Sequence, residues 1–154
     1  MSELVSTKDG NIFVRIEEDV IKVLEGHRQL TLNQPESGGI LIGEYRGPHL
    51  NVIKVTTPND GDIQSRFRFF RRSKQHQSIA SKIWKESNET QTFIGDWHTH
   101  PEDHPRPSSI DITDWKRKLG NRKMVVIIQG RVSRWYGVWD GDKLIEARKE
   151  RGFF

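Results

Sequence analysis

The chain has 154 residues, of which 33% are hydrophobic and 30% charged, and its length predicts a single domain over residues 1–154. No apolar run reaches transmembrane length and no apolar segment for secretion follows Met1, so the sequence predicts a cytoplasmic protein without membrane contact. The absence of cysteine excludes disulfides and thiolate metal sites, and the net charge of +4 is too small and dispersed to indicate nucleic acid.

The first third of the chain predicts strands around one helix. Residues Asn11–Ile16 alternate as a strand, whereas Glu17–His27 has apolar residues at helical spacing. Gly38–Tyr45 and Leu50–Thr57 predict an antiparallel pair joined across Gly47-Pro48.

The middle of the chain contains a basic, aromatic stretch. After a turn at Asn59–Asp62, a strand is predicted over Arg66–Phe70 and a helix over Gln75–Glu86. Two roles are open for Arg66–Arg72: a clamp for an acidic face of a protein substrate, or an edge strand protected by charge, which is favoured. Thr92–Trp97 is predicted as a buried strand.

The last part of the chain predicts a helix over Ser109–Leu119, a central strand over Lys123–Gln129, and a hairpin formed by Arg131–Trp139 and Lys143–Ala147. The tail Glu150–Phe154 ends in Gly-Phe-Phe and is expected to be mobile or to dock on a partner. Strands interleaved with helices predict an α/β or α+β fold, with a mixed β-sheet flanked by helices.

A histidine pair and a helix start lie close together in the sequence. His98 and His100 follow the predicted strand two residues apart, so both imidazoles leave one face about 6.6 Å apart along the backbone. Ser108 is predicted as the N-cap of the next helix and Asp111 as its N3 residue. Two histidines and one carboxylate would hold a zinc ion with one position open, as in catalytic sites.

Other roles are open for these residues when each is considered alone. A His-x-His pair also occurs on surface strands, and the segment from Ser108 to Asp111 would serve as a capping box alone. Asp111 is not expected to cap the helix and bind a metal with the same oxygens. Asp103 and His104 are further donors in the intervening turn, and we expect them to face solvent at the mouth of the site.

The combination of His98-Thr-His100-Pro with Ser108-x-x-Asp111 resembles the JAMM motif of the JAB/MPN zinc metalloprotease family. The segment from Glu36 to Gly43 also matches the family pattern Glu-x-x-Gly-x-x-x-Gly. The resemblance spans nearly the whole chain and implies an MPN/JAB-like fold.

The resemblance also implies roles for individual residues. His98, His100 and Asp111 would bind Zn²⁺, and Glu36 would be the general base, with Glu44 as a less favoured rival. The Ser108 hydroxyl would donate a hydrogen bond to the developing oxyanion. Thr99, between the histidines, is expected to pack on the opposite face of the strand.

Family members cleave amide or isopeptide bonds behind the C-terminus of ubiquitin-like or otherwise conjugated proteins. The short domain is similar to JAB deconjugases of bacterial CBASS antiphage operons, which remove a CD-NTase, a nucleotidyltransferase, from conjugates made by an E1/E2-like enzyme. This similarity implies a protein substrate with an extended C-terminal tail and an E1/E2-like operon partner. Two alternatives remain: hydrolysis of a small-molecule amide or cysteine conjugate, and a nucleic-acid-binding JAB module that uses Arg66–Arg72.

Overall fold

Most strands of the chain join in one mixed β-sheet that closes into a barrel, in a computed structural model that describes residues 1–151. The strands in these residues are β1 (Glu3–Thr7), β2 (Phe13–Ile16), β3 (Gly38–Arg46), β4 (His49–Val55), β5 (Ile63–Ser65), β6 (Arg68–Phe70), β7 (Thr92–Thr99), β8 (Met124–Gln129), β9 (Arg134–Trp139) and β10 (Leu144–Lys149). The helices are α1 (Glu18–Gly26), α2 (Gln75–Glu86) and α3 (Ser109–Lys118).

The barrel has the strand order β1-β10-β9-β8-β7-β3-β4-β2. The pairs β2–β4 and β7–β8 are parallel and the other neighbours antiparallel, while β5 and β6 form a separate two-stranded sheet. The mixed sheet flanked by helices is confirmed, whereas the sequence did not predict that the sheet closes. None of the helices in residues 1–151 combines the length and apolar character needed to cross a membrane.

Both faces of the central strands are covered, which explains the apolar run in β8. All six residues of β8 are buried. Val125 and Ile127 belong to the core cluster that includes α1, whereas Val126 and Ile128 pack with Trp115 of α3. Helix α2 covers the outer face of β3. A strand buried on both faces has no polar positions to alternate with its apolar ones.

Several element boundaries differ from the predictions. Strand β1 was not predicted, because Val5 is the only large apolar residue among its buried positions Glu3, Val5 and Thr7. Strand β9 begins at Arg134, since the preceding residues turn to hydrogen-bond the segment after His100. The predicted Gly-Phe-Phe tail at residues 152–154 lies outside the described residues.

The glycines of the Glu-x-x-Gly-x-x-x-Gly pattern allow β3 to approach β4 closely. A Cβ at Gly39 would collide with the carbonyl oxygen of Thr56, and one at Gly43 with that of Asn51. Because these obstacles are backbone atoms, a larger residue would displace the strand. The start of β3 is also fixed against β7, where Gly38 pairs with His98.

Candidate active site

Strand β7 divides its side chains between the candidate site and the core. Every second residue of an extended strand projects from the same face, which places Asp96, His98 and His100 together. All three line one cavity. On the other face, Trp97 is 1% exposed and its indole N–H donates to the Thr56 carbonyl oxygen at 2.9 Å. The anchored indole therefore fixes the strand beside the histidines.

The side chains of His98, His100 and Asp111 converge on one point, as the sequence predicts. The two Nε2 atoms lie 3.1 Å apart, and each lies 3.1 Å from a different carboxylate oxygen of Asp111. A tetrahedral ion with bonds of about 2.0–2.1 Å separates its ligand atoms by about 3.3–3.4 Å. The three side chains, 10–14% exposed, therefore fit one zinc-sized ion with little rearrangement.

Asp111 caps its helix and faces the histidines with the same carboxylate. Its Oδ2 accepts the Ser108 N–H at 2.7 Å and also lies 3.1 Å from His100 Nε2. Ser108 completes the capping box, because its Oγ accepts the Asp111 N–H at 3.1 Å. A carboxylate oxygen has two lone pairs, so one oxygen serves both partners.

The cluster also shifts the acidities of its members. Burial alone would raise the pKa of Asp111, but hydrogen bonds from His100 and His98 hold it well below its usual range. Burial alone would lower the pKa of His100, whereas the Asp111 carboxylate raises it. The cluster thus places an ionised carboxylate beside two imidazoles. Protons and a metal ion would compete for the same nitrogen and oxygen atoms of this set.

Glu36 lies in the same cavity, two residues before β3 begins, and is 4% exposed. Burial raises the pKa of this carboxyl to about 7, although the His98 and His100 rings act to lower it. Its backbone is fixed by the Ser65 carbonyl oxygen, which accepts the Glu36 N–H at 2.7 Å. A buried carboxyl beside a ligand cluster has the surroundings of a general base or acid.

The cavity has a volume of about 430 Å³ and is bounded by the β5–β6 hairpin and the first turns of α3. Phe67 on the hairpin side is 73% exposed and Ile110 on the helix side is 53% exposed. Asp96 was not predicted as a site residue, and it lines this cavity with Arg71 of the basic stretch, to which it forms an ion pair at 3.1 Å. The position of Asp96, two residues before His98 on a strand, was an available signal.

Thr99 is buried on the opposite face as expected, but it does more than pack. Its hydroxyl donates to Gln29 Oε1 at 2.8 Å. The Gln29 amide in turn donates to the carbonyl oxygens of Gln34 and Arg66. The segment between the histidines is therefore connected to the loop before Glu36 and to the β5–β6 hairpin.

The remaining candidates, Glu44, Asp103 and His104, contact other residues and do not join the cluster of the two histidines and Asp111. Glu44 forms an ion pair with Arg46, towards the far end of β3 from Gly38. Asp103 pairs with Arg131 at 3.0 Å, and His104 Nδ1 lies 2.9 Å from the Ser133 hydroxyl. Among the residues that the structure describes, the group able to hold a metal consists of the two histidines and Asp111.

A profile of the Prok-JAB family, the prokaryotic homologs of the JAB domain, matches residues 19–139. The chain belongs to this family. A CD-NTase/cGAS isopeptidase of Vibrio cholerae serotype O1 is 41% identical over 136 residues, covering 88% of this chain and 87% of the relative. A protein of the same name from Escherichia coli strain TW11681 is 38% identical over 138 residues, covering 89% and 88%.

Two further similarities concern the chemistry and the fold. A probable metalloprotease y4qB of Sinorhizobium fredii is 33% identical over 67 residues, covering 43% of this Prok-JAB chain and 41% of the relative. The solution structure of DSY2949 from Desulfitobacterium hafniense has a TM-score of 0.61 and 21% identity, covering 88% of each chain, and shows similarity of fold. The predicted resemblance and fold class are confirmed, and the relatives agree with a metal-dependent hydrolase.

Proposed function

We propose that this Prok-JAB protein is a zinc-dependent isopeptidase that hydrolyses an amide or isopeptide bond behind the C-terminus of a conjugated protein. The observation that carries the proposal is the convergence of His98, His100 and Asp111 with the buried Glu36 in one cavity. The names of the Vibrio and Escherichia relatives support a CD-NTase as the conjugated protein. An E1/E2-like enzyme would make the conjugate that this protein removes.

His98, His100 and Asp111 would hold the ion. Two imidazole nitrogens and one carboxylate oxygen suit zinc, and three protein ligands are the number found in catalytic zinc sites. When bound, zinc supplies Lewis acidity, which polarises a carbonyl group and lowers the pKa of water.

Glu36 and Ser108 would handle the proton and the developing charge. Glu36 would take a proton from the attacking water at a carboxylate oxygen and return it to the nitrogen of the departing amine. Ser108 Oγ accepts the Asp111 N–H, a bond that does not use its hydroxyl proton. That proton would be donated to the oxygen of the scissile carbonyl as its negative charge grows.

The rim of the cavity favours a protein tail over a small polar amide. Phe67 and Ile110 stand on opposite sides of it, and both remain more than half exposed. Covering such side chains with a polypeptide stabilises the complex through burial of apolar surface. Among the described strands, β6 pairs with β5 alone, and an extended tail would lie along this hairpin beside the cavity.

The basic stretch Arg66–Arg72 gives little support to nucleic acid as a ligand. Arg71 pairs with Asp96 and lies over the Phe93 ring, and the Arg66 guanidinium donates to the Leu32 carbonyl oxygen. Side chains engaged in this way contribute to the fold and to the cavity wall. This arrangement supports the interpretation of an edge hairpin protected by charge.

The test compares three substrates at equal concentration: a CD-NTase joined through its C-terminus to another protein, unfolded casein, and a small N-acyl amide. The proposal predicts release of the intact CD-NTase, loss of activity with a chelator, recovery with zinc, and no effect of thiol reagents. Bulky residues before the scissile bond should lower kcat/KM more than changes after it. Equal cleavage of casein would indicate a general peptidase, and preference for the small amide would indicate a small-molecule hydrolase.

A further inference from the structure

The two ring nitrogens of His100 face different partners. Nε2 lies in the cluster, 3.1 Å from Asp111 Oδ2, whereas Nδ1 lies 2.8 Å from Glu102 Oε1. A carboxylate that accepts the Nδ1–H bond keeps the proton on that nitrogen and leaves Nε2 as the donor to a metal. It also fixes the rotation of the ring about its bond to Cβ.

The turn that carries Glu102 is attached to the turn before β9. The Arg131 N–H donates to the Glu102 carbonyl oxygen at 2.7 Å, and the Ser133 N–H donates to that of Asp103 at 3.0 Å. The Asp103 side chain pairs with Arg131 at 3.0 Å. These bonds fix the position of the Glu102 backbone. The carboxylate is therefore held near His100 even though its side chain is 53% exposed.

Gly130 makes this attachment possible. A Cβ at Gly130 would lie 2.8 Å from the Glu102 carbonyl oxygen and 2.7 Å from that of Ser133, and would collide with the Pro105 ring. Both oxygens belong to the backbone, so a side chain at this position would separate the two turns. The contact between the turns therefore depends on a position without a side chain.

We propose that Glu102 is a positioning residue, which holds the His100 ring in the tautomer and orientation needed for metal binding. The inference rests on the proposed metal site, and it adds a residue outside the set that the family motif supplies. Glu102 acts through His100 and is not assigned contact with the substrate. Its carboxylate would raise the affinity of the site for zinc by orienting the ring and by making Nε2 a stronger donor.

The test measures the zinc affinity of the full chain by competition with a chromophoric chelator, without substrate. Glu102→Ala should weaken zinc binding by about 10–100-fold. Glu102→Gln should recover part of this loss, because its amide oxygen still accepts the Nδ1–H bond. Asp114→Asn is the matched control: it removes a carboxylate that lines the same cavity from helix α3, away from the turn of Glu102, and should leave the affinity unchanged.

A second measurement reports on the ring directly. In the zinc-loaded wild-type protein, the Nδ1 proton of His100 should give an NMR signal protected from exchange, and Glu102→Ala should lose that protection. Unchanged affinity and protection in Glu102→Ala, or an equal loss of affinity in Asp114→Asn, would overturn the positioning role. Failure of the wild-type chain to bind zinc would instead contradict the proposed function.

Discussion

Ser37 and Thr99 are joined by two hydrogen bonds that run in opposite directions. The Ser37 N–H donates to Thr99 Oγ1 at 2.9 Å, and the Thr99 N–H donates to the Ser37 carbonyl oxygen at 2.9 Å. Ser37 follows Glu36, and Thr99 separates the two histidines. This pair therefore fixes the proposed base relative to the proposed metal ligands.

Thr99→Val tests this connection, because valine has nearly the same shape but lacks the hydroxyl. The change leaves the Ser37 N–H and the Gln29 amide oxygen without their buried partner, so the free energy of unfolding should fall by about 1–3 kcal/mol. Turnover should fall as Glu36 loses its fixed position, while zinc content stays. Denaturant unfolding and steady-state kinetics measure the two effects. Thr113→Val, at an exposed position of helix α3, is the control and should change stability by less than about 0.5 kcal/mol.

Removal of a proposed ligand should remove the metal. We expect about one zinc per wild-type chain, and severe loss of zinc in His98→Ala and Asp111→Ala, because each removes one of only three protein ligands. Elemental analysis after gel filtration gives the ratio. His104→Ala is the matched control, since His104 lies in the turn between His100 and Ser108 but contacts Ser133. Wild-type zinc content in both ligand variants would exclude these residues from the site.

Replacement of the proposed base should separate chemistry from metal binding. Glu36→Gln keeps the shape of the side chain but cannot accept the proton of water, so hydrolysis should be lost with zinc content and melting temperature nearly unchanged. The control Glu44→Gln removes the rival carboxylate and should retain activity. If Glu36→Gln turns over normally and Glu44→Gln does not, the roles of the two residues must be exchanged.

Ser108 has a capping role and a proposed catalytic role, and Ser108→Gly distinguishes them. Glycine at an N-cap costs only a few tenths of a kcal/mol, so helix α3 and the melting temperature should change little. Loss of the hydroxyl donor should lower kcat by about 10²–10³ if it stabilises the oxyanion. Normal kcat with normal stability would restrict Ser108 to capping, which should then be visible in Ser108→Ala as lower stability.

Asp62 gives the protein a predictable dependence of stability on acid. Its Oδ1 accepts the Arg72 and Ser73 N–H bonds at 2.8 and 2.7 Å, and its Oδ2 accepts bonds from the Asn59 N–H and from His76 Nε2 at 2.9 and 2.6 Å. Burial alone would raise the pKa of Asp62, but these donors together lower it below the ordinary value of 3.8. The folded carboxyl thus binds its proton more weakly than the unfolded one.

The sign of the effect follows from that difference. The stabilisation by Asp62 is fully present above the unfolded pKa near 3.8 and is lost as the pH falls through the lower folded pKa. Asp62→Asn should lower the free energy of unfolding by about 3 kcal/mol at pH 7, because the buried His76 ring and three backbone N–H groups lose a charged partner. The difference in the free energy of unfolding between the wild type and Asp62→Asn should shrink below about pH 4. Urea unfolding at pH 7, 5 and 3 measures this difference, with Asp60→Asn at an exposed position as the control. A difference that stays constant down to pH 3 would contradict the role assigned to Asp62.

The sequence by itself determined the local parts of the site. His98 and His100 share a face because strand side chains alternate, and Ser108 with Asp111 opens a helix because capping requires only a few consecutive residues. These patterns lie within short segments, so periodicity and local hydrogen bonding are enough to predict them. The position of Glu36, by contrast, was inferred from resemblance to a family motif.

Tertiary structure decided which of these segments meet. The closing strand β1 has too few apolar residues to be recognised alone, and it forms because β2 and β10 supply partners on both sides. Ser37 and Thr99 are 62 residues apart in the chain, and the attachment of Glu102 depends on the turn after β8. Backbone hydrogen bonds between distant segments have no sequence period, because any residue except proline supplies the same N–H and carbonyl groups.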